Sequence, residues 1–185
     1  MYYCIVHFPK IDTSKIEEIR SKYDLTIGTI KPHVTLVFPV KTDFVTKEII
    51  SEHIREVAST TNKFDINLNG FEKSWDNWLF LNVKKGTEEI IDLHDKLYSG
   101  ILEPQWRKDL PFSAHLSLGQ FNKKDSNYSL KNLVKAELDV EKYEQALSEA
   151  TAANMEYTST VERISLITLN DDISEIIETV DFELK

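Results

Sequence analysis

Cysteine is nearly missing from this chain of 185 residues. Cys4 stands alone, so no internal disulfide can form, which fits a reducing, cytoplasmic setting. Long apolar runs are missing too. Met1 to Phe8 is apolar, but Pro9 and Lys10 end the run. It is too short for a signal-peptide core with a cleavage site and far too short to cross a membrane. No Gly/Ser-rich linker, low-complexity tract or long charge block marks a domain boundary, so one domain over residues 1–185 is expected. Excess positive charge is also lacking. With 31 acidic against 22 basic residues the formal charge is −9, which speaks against a long nucleic-acid duplex as partner. A small anion held by local dipoles stays compatible with that balance. HExxH, P-loop and GxGxxG patterns are absent, as are carboxylate pairs at metal-ligand spacing, so neither a metal nor a cofactor is implied.

What is present is a mixture of strand and helix patterns. Residues 2–8 are aromatic and β-branched and predict a strand. Ser14 and Glu17 match a capping box, followed by Ile16, Ile19 and Tyr23 at helical spacing. Residues 33–38 predict a second strand and 44–59 a helix with Ile50, Ile54 and Val57 on one stripe. Residues 64–69 and 78–83 alternate as half-buried strands do. Thr87 opens a third helix that Gly100 stops, and 112–118 predict another strand. A polar stretch follows, then helical pattern to about Asn154. The end reads as a hairpin, 158–169 and 173–182 around Asn170-Asp171-Asp172. Strands and helices do not alternate strictly, which favours an α+β fold with antiparallel or mixed sheets.

Two segments repeat. "PHVTLVF" at 32–38 and "AHLSLGQF" at 114–121 each place a histidine, one residue, a hydroxyl residue and then leucine. Strand side chains alternate faces, so His33 and Thr35 share one face and Val34 and Leu36 the other. His115 and Ser117 are likewise set against Leu116 and Leu118. The copies lie 82 residues apart (115 minus 33), which suggests two similar lobes. If both strands approach a pseudo-two-fold axis, two imidazoles and two hydroxyls face one cleft. One imidazole can act as a base toward water and the other as an acid toward a departing alkoxide. The hydroxyls can donate to the non-bridging oxygens of a phosphodiester. No metal is needed for such a scheme, and the residues do not say which histidine is acid and which is base.

The paired tetrapeptides His33-Val34-Thr35-Leu36 and His115-Leu116-Ser117-Leu118 resemble the two-histidine (2H) phosphoesterase superfamily. The chain is similar to its 2'-5' RNA ligase-like branch, in particular a group of small bacterial phosphoesterase-like proteins. "YCIVHFP", "IRSKYD", "LHDKLYSGIL" and "VERISLITL" also sit where that group has comparable segments. The resemblance implies a bilobal pseudo-two-fold α+β fold, with two β-sheets facing a central cleft and helices packed outside. It further implies metal-independent cleavage of a nucleotide-like or RNA-end substrate, a 2',3'-cyclic or 2'-5' phosphodiester. By the same carry-over, His33 and His115 would be the acid–base pair, and Thr35 and Ser117 the phosphate ligands. Ser117 stands where the commoner residue is threonine; the hydroxyl is kept. The physiological substrate and the oligomeric state stay open.

The remaining candidates read more plainly. His7 is expected at a strand end, His53 and His94 on helix flanks or the surface, and Trp75 and Trp78 in rim or core packing. Lys31 is expected to be solvated, and Asp171-Asp172 to be a hairpin tip. Two other functions compete: a metallohydrolase in which His7, His33 and His115 converge on zinc, and a silent module that binds a nucleotide or RNA end.

Overall fold

Alternation in the two repeats becomes burial. Val34, Leu36, Leu116 and Leu118 are fully buried, whereas His33, Thr35, His115 and Ser117 keep part of their surface. Each buried leucine contributes about 1.5–3 kcal/mol, which ties the polar set to the opposite face. The computed structural model describes residues 1–24, 27–123 and 136–185. Most of the polar stretch expected after the second repeat lies outside them.

In chain order the elements are β1 (Tyr2–His7), α1 (Ser14–Tyr23), β2 (Val34–Lys41), α2 (Lys47–Thr60), β3 (Phe64–Lys73) and β4 (Trp78–Val83). There follow α3 (Thr87–Tyr98), a short 3-10 helix (Gly100–Gln105), β5 (His115–Gln120), α4 (Val140–Ala152), β6 (Glu156–Val161), β7 (Arg163–Leu169) and β8 (Ile176–Glu183). The strands form one sheet in the order β6-β3-β4-β5-β2-β1-β7-β8, and every named pair is antiparallel. The two sheets expected from the sequence are thus joined edge to edge by β2 and β5. Their contact is the pair Val34↔Leu116, the second residues of the two tetrapeptides. Equivalent residues facing each other put a local two-fold axis through that pair.

The buried stripes of the four α-helices among the described residues join a single core with one face of the sheet, including Ile16, Ile54, Leu93 and Ala146. The other face holds a smaller apolar cluster of Cys4, Val6, Ile167 and Leu169. Cys4 donates its thiol to Val37 O at 3.0 Å, and burial pushes it up to about 12, so it stays a thiol.

The helices cross over the axis. α1, which leads into β2, packs on β5, and α3, which leads into β5, packs on β2. Gly119 permits the first contact: a Cβ there would lie 2.6 Å from Tyr23 Cβ and 2.8 Å from its carbonyl oxygen. The second is pinned by polar groups. His94 donates Nδ1–H to Leu36 O at 2.7 Å, and Tyr98 Oη accepts from Phe38 N–H at 3.1 Å. His94 is therefore buried and stacked on Phe112 at 3.7 Å, not on a helix flank or the surface as expected. An imidazole that satisfies a strand carbonyl can be buried without the usual cost.

Other expectations shift. The capping box at Ser14 does not form: Ser14 N–H donates to Asp12 Oδ1 at 3.0 Å, and Glu17 is engaged by Arg20 Nη1 at 3.3 Å. Ser14 is already the first helical residue and Thr13 the N-cap, whose carbonyl takes the Glu17 N–H that the box would have given to the Ser14 hydroxyl. α2 starts at Lys47 because Thr46 accepts from Ile49 N–H at 3.4 Å. The expected single strand 158–169 is two strands. β6 pairs with β3 at one edge of the sheet, while β7 pairs with β1 and β8 near the other. Only Glu162 separates them, so the sheet curls until its flanks meet. Leu184 N–H to Glu162 O, at 2.7 Å, and Lys185 N–H to Thr61 O, at 2.9 Å, tie that corner.

Replacing Gly119 with alanine is expected to destabilise the protein by about 1–3 kcal/mol through the forced shift of α1, read as a lower denaturation midpoint at unchanged slope. An unchanged midpoint would show that α1 moves freely on β5.

Candidate functional site

The pair Val34↔Leu116 fixes where the four polar residues fall. An antiparallel register through it sets His33 opposite Ser117 and Thr35 opposite His115. Directly opposed residues in such a pair have Cβ atoms about 4.5–5.5 Å apart and diagonal ones about 7–8 Å apart. The two imidazoles are therefore diagonal neighbours on one face, each beside the hydroxyl of the other repeat. That span suits two groups acting on opposite sides of a single phosphorus centre. Neither the spacing of the repeats nor their composition could supply it; the pairing does.

Both rings are held alike. His33 donates Nδ1–H to Lys31 O at 2.8 Å and His115 donates Nδ1–H to Ser113 O at 2.6 Å. A carbonyl can only accept, so in both rings Nδ1 carries the proton and Nε2 is the free basic nitrogen. Lys31 itself is exposed, as expected, and serves the site through its backbone. Burial pushes both rings down to about 4, against the opposing effect of these carbonyls. His33 also lowers His115 by charge repulsion, and Arg20 lowers His33, offset by Asp24. Both imidazoles are thus neutral near pH 7 when the site is empty.

The surroundings of the two rings differ. Phe80 stacks on His115 with centroids 3.4 Å apart at 16°, whereas Phe8 meets His33 edge-on at 6.2 Å. Phe80 and Asn82 lie opposite Ser117 and His115 across β4 and β5. Asn82 is buried and donates Nδ2–H to Glu72 Oε2 at 3.2 Å. Behind His33, a buried ion pair anchors the approach to β2. Arg20 Nε bonds Asp24 Oδ2 at 2.7 Å, and Nη2 bonds Ile30 O at 2.8 Å. Breaking one partner of such a pair costs about 3–5 kcal/mol. Phe80, Asn82, Glu72 and the Arg20–Asp24 pair were not singled out by sequence reasoning. The alternation of Trp78, Phe80 and Asn82 carried the signal for a shared face, but nothing in it told which strand β4 would join.

His7 is not brought to this site. It pairs with Val34, so it shares the core-directed face, and its Nδ1–H donates to Arg163 O at 3.0 Å. Among the described residues no three His, Cys, Asp or Glu side chains group in a way that could hold a metal ion. His53 is half-buried, with Nε2 donating to Leu97 O at 2.9 Å. Trp75 and Trp78 are half-buried, in line with rim packing. Asp171 is exposed and pairs with the Met1 ammonium.

Known proteins resemble this chain in sequence and fold. The family model described as the 2'-5' RNA ligase superfamily matches residues 8–173. A Bacillus cereus protein (strain ATCC 10987) named "Putative phosphoesterase" is 31% identical over 119 residues, 63% of this chain and 67% of its own. A protein of the same name from Bacillus thuringiensis (strain Al Hakam) is 30% identical over the same length. TT0787 of Thermus thermophilus shares the fold at a TM-score of 0.61 and 15% identity, covering 100% of both chains. E. coli LigT, solved with 3'-AMP, does so at 0.56 and 13%, covering 100% of this chain and 95% of that one. The chain belongs to the 2'-5' RNA ligase superfamily of two-histidine phosphoesterases.

Proposed function

We propose that this protein is a phosphodiester hydrolase of the cyclic phosphodiesterase type, using His33 and His115 as its acid–base pair. The observation that carries this reading is the diagonal placement of two imidazoles, each with Nδ1–H tied to a backbone carbonyl two residues upstream and Nε2 free. One Nε2 removes a proton from water as its oxygen attacks phosphorus. The other, once protonated, delivers a proton to the alkoxide that leaves, and a phosphomonoester results. Thr35 and Ser117 hydroxyls donate to the non-bridging oxygens. The E. coli LigT structures with 3'-AMP, NADP+ and ATP support a nucleotide-like substrate. A 2',3'-cyclic or 2'-5' linkage is the substrate class proposed.

A phosphodiester anion between the rings favours the charged form of one of them. The acid is therefore made by substrate binding, not held ready in the empty site.

His33→Ala or His115→Ala is expected to lower turnover of nucleoside 2',3'-cyclic phosphates about 10²–10⁴-fold, while EDTA leaves the parent rate unchanged. Full activity in either variant, or loss of activity to the chelator, would refute the scheme.

Titration of the imidazole protons by NMR is expected to place both site histidines well below 6.5 in the free protein, with at least one rising on addition of inorganic phosphate. Midpoints at or above 6.5 without ligand would overturn the account of the empty site. Stability follows with a definite sign. The unfolded chain binds these protons near pH 6.5 and the folded one near 4, so folding stability is full above that window and falls as pH drops through it. A His33→Asn/His115→Asn double variant should show a shallower loss in denaturation curves between pH 7 and 5.

A further inference from the structure

The two repeat strands need a second support beyond their one pair. Among the described residues β2 and β5 are registered at Val34↔Leu116 alone. One pair sets the register but leaves two strands free to pivot about it. The diagonal between His33 and His115 lies across that pivot. Whatever spans the two strands away from the pair therefore sets how far apart the imidazoles stand.

His94 is built into that span. It sits on α3, 2% exposed, and grips both repeats with different parts of one ring. Its Nδ1–H donates to Leu36 O at 2.7 Å, and Leu36 follows Thr35 in β2. Its face lies on Phe112, with centroids 3.7 Å apart at 16°. Phe112 precedes Ser113, whose carbonyl takes the Nδ1–H of His115 at 2.6 Å. The ring thus touches one site strand directly and the other one residue from the anchor of its imidazole. Tyr98 at 4.8 Å and Trp106 at 5.9 Å close around the same ring and confine it. Leucine or phenylalanine could fill the space, but neither could donate to Leu36 O, and a buried carbonyl without a donor is costly. An imidazole supplies a flat face and an edge donor together.

A contact that only docked α3 would need no relation to the site. Tyr98, one turn further along, is of that kind: its Oη accepts from Phe38 N–H at 3.1 Å, beyond the site residues of β2. We infer that His94 is a positioning residue for the proposed hydrolysis. It holds Leu36 and Phe112 at a fixed separation and so sets the spacing of the His33 and His115 rings from within the core. The inference rests on the proposed acid–base pair and adds to it a residue that neither tetrapeptide contains.

The test measures kcat and KM for a nucleoside 2',3'-cyclic phosphate on the parent and on His94→Leu, His94→Asn, Phe112→Leu and Tyr98→Phe. His94→Leu is expected to lower kcat about ten- to a hundredfold with KM little changed, as a small misplacement of reacting groups does. Asparagine carries its amide nitrogen the same number of bonds from Cα as histidine carries Nδ1. His94→Asn therefore keeps the hold on Leu36 O and should recover part of the loss. Phe112→Leu, which removes only the stack, should also lower kcat. Tyr98→Phe should lower the denaturation midpoint and keep the parent kcat. Parent kcat in His94→Leu, or a loss in Tyr98→Phe as large as in His94→Leu, would overturn the inference. If His94→Leu fails to fold, Phe112→Leu decides: parent kcat there would overturn it. A second arm needs no turnover and so separates this inference from the hydrolase reading. The Nδ1–H resonance of His115 should move upfield and exchange faster with water in Phe112→Leu, and stay in place in Tyr98→Phe. An unmoved resonance in Phe112→Leu would overturn the positioning role even if no cyclic substrate is cleaved.

Discussion

One antiparallel contact, Val34 against Leu116, organises the molecule. It joins two four-stranded halves into one sheet and puts equivalent residues on either side of an axis. Alternation does the rest. Once Val34, Leu36, Leu116 and Leu118 face the helices, His33, Thr35, His115 and Ser117 have no other place than the opposite face. A one-residue slip in either strand would bury the imidazoles and expose leucines. The hydrophobic core and the geometry of the site are therefore specified by the same pairing, and neither can be altered alone.

The crossed helices make that pairing hard to lose. α1 leans on β5 through Gly119, and α3 holds β2 through His94 and Tyr98. Each repeat strand is thus supported by the helix that precedes the other one. A break at the centre of the sheet would also expose both helix faces. The buried Arg20–Asp24 pair adds a local restraint, since Arg20 reaches Ile30 O just before the first histidine. Rigid placement matters because proton transfer depends on distances good to a fraction of an ångström.

Much of this was legible in the sequence, for a physical reason: period-two alternation is a local property. His-x-hydroxyl-x-Leu needs no tertiary information to assign faces, and the helical stripes of α2 and α3 are equally local. What escaped was set by partners distant in sequence. His94 looked like a flank residue because nothing local says that Leu36 O needs a donor. Ser14 and Glu17 matched a capping box, but Asp12 and Arg20 compete for the same groups. The run 158–169 carried a signal that was passed over. Ser159 and Val161 face the core, and then Ile164 and Leu166 do, so the phase changes parity at Glu162. A single strand cannot do that without a bulge, and here the chain changes sides of the sheet instead. At the candidate site the motif residues were legible, whereas Phe80, Asn82 and Glu72 were not, because β4 could have joined either half.

The two halves share a plan but not their surroundings, and the difference bears on how an acidic protein of charge −9 would hold an anion. A fixed cation at the cleft would attract phosphate and also any other anion. In the proposed scheme two neutral imidazoles avoid this: charge would arise only when a phosphodiester arrives to stabilise it, coupling binding to proton uptake. The aromatic neighbours then break the symmetry. A ring stacked face-on at 3.4 Å, as Phe80 is on His115, presents its negative π-face to an imidazolium. Phe8, edge-on to His33 at 6.2 Å, gives much less of that support. In the proposed scheme the proton taken up on binding therefore settles on His115, which makes His115 the acid and leaves His33 neutral as the base. In that scheme two copies of one tetrapeptide would take opposite roles because of the residue stacked on one of them, and the stacking residue belongs to neither motif.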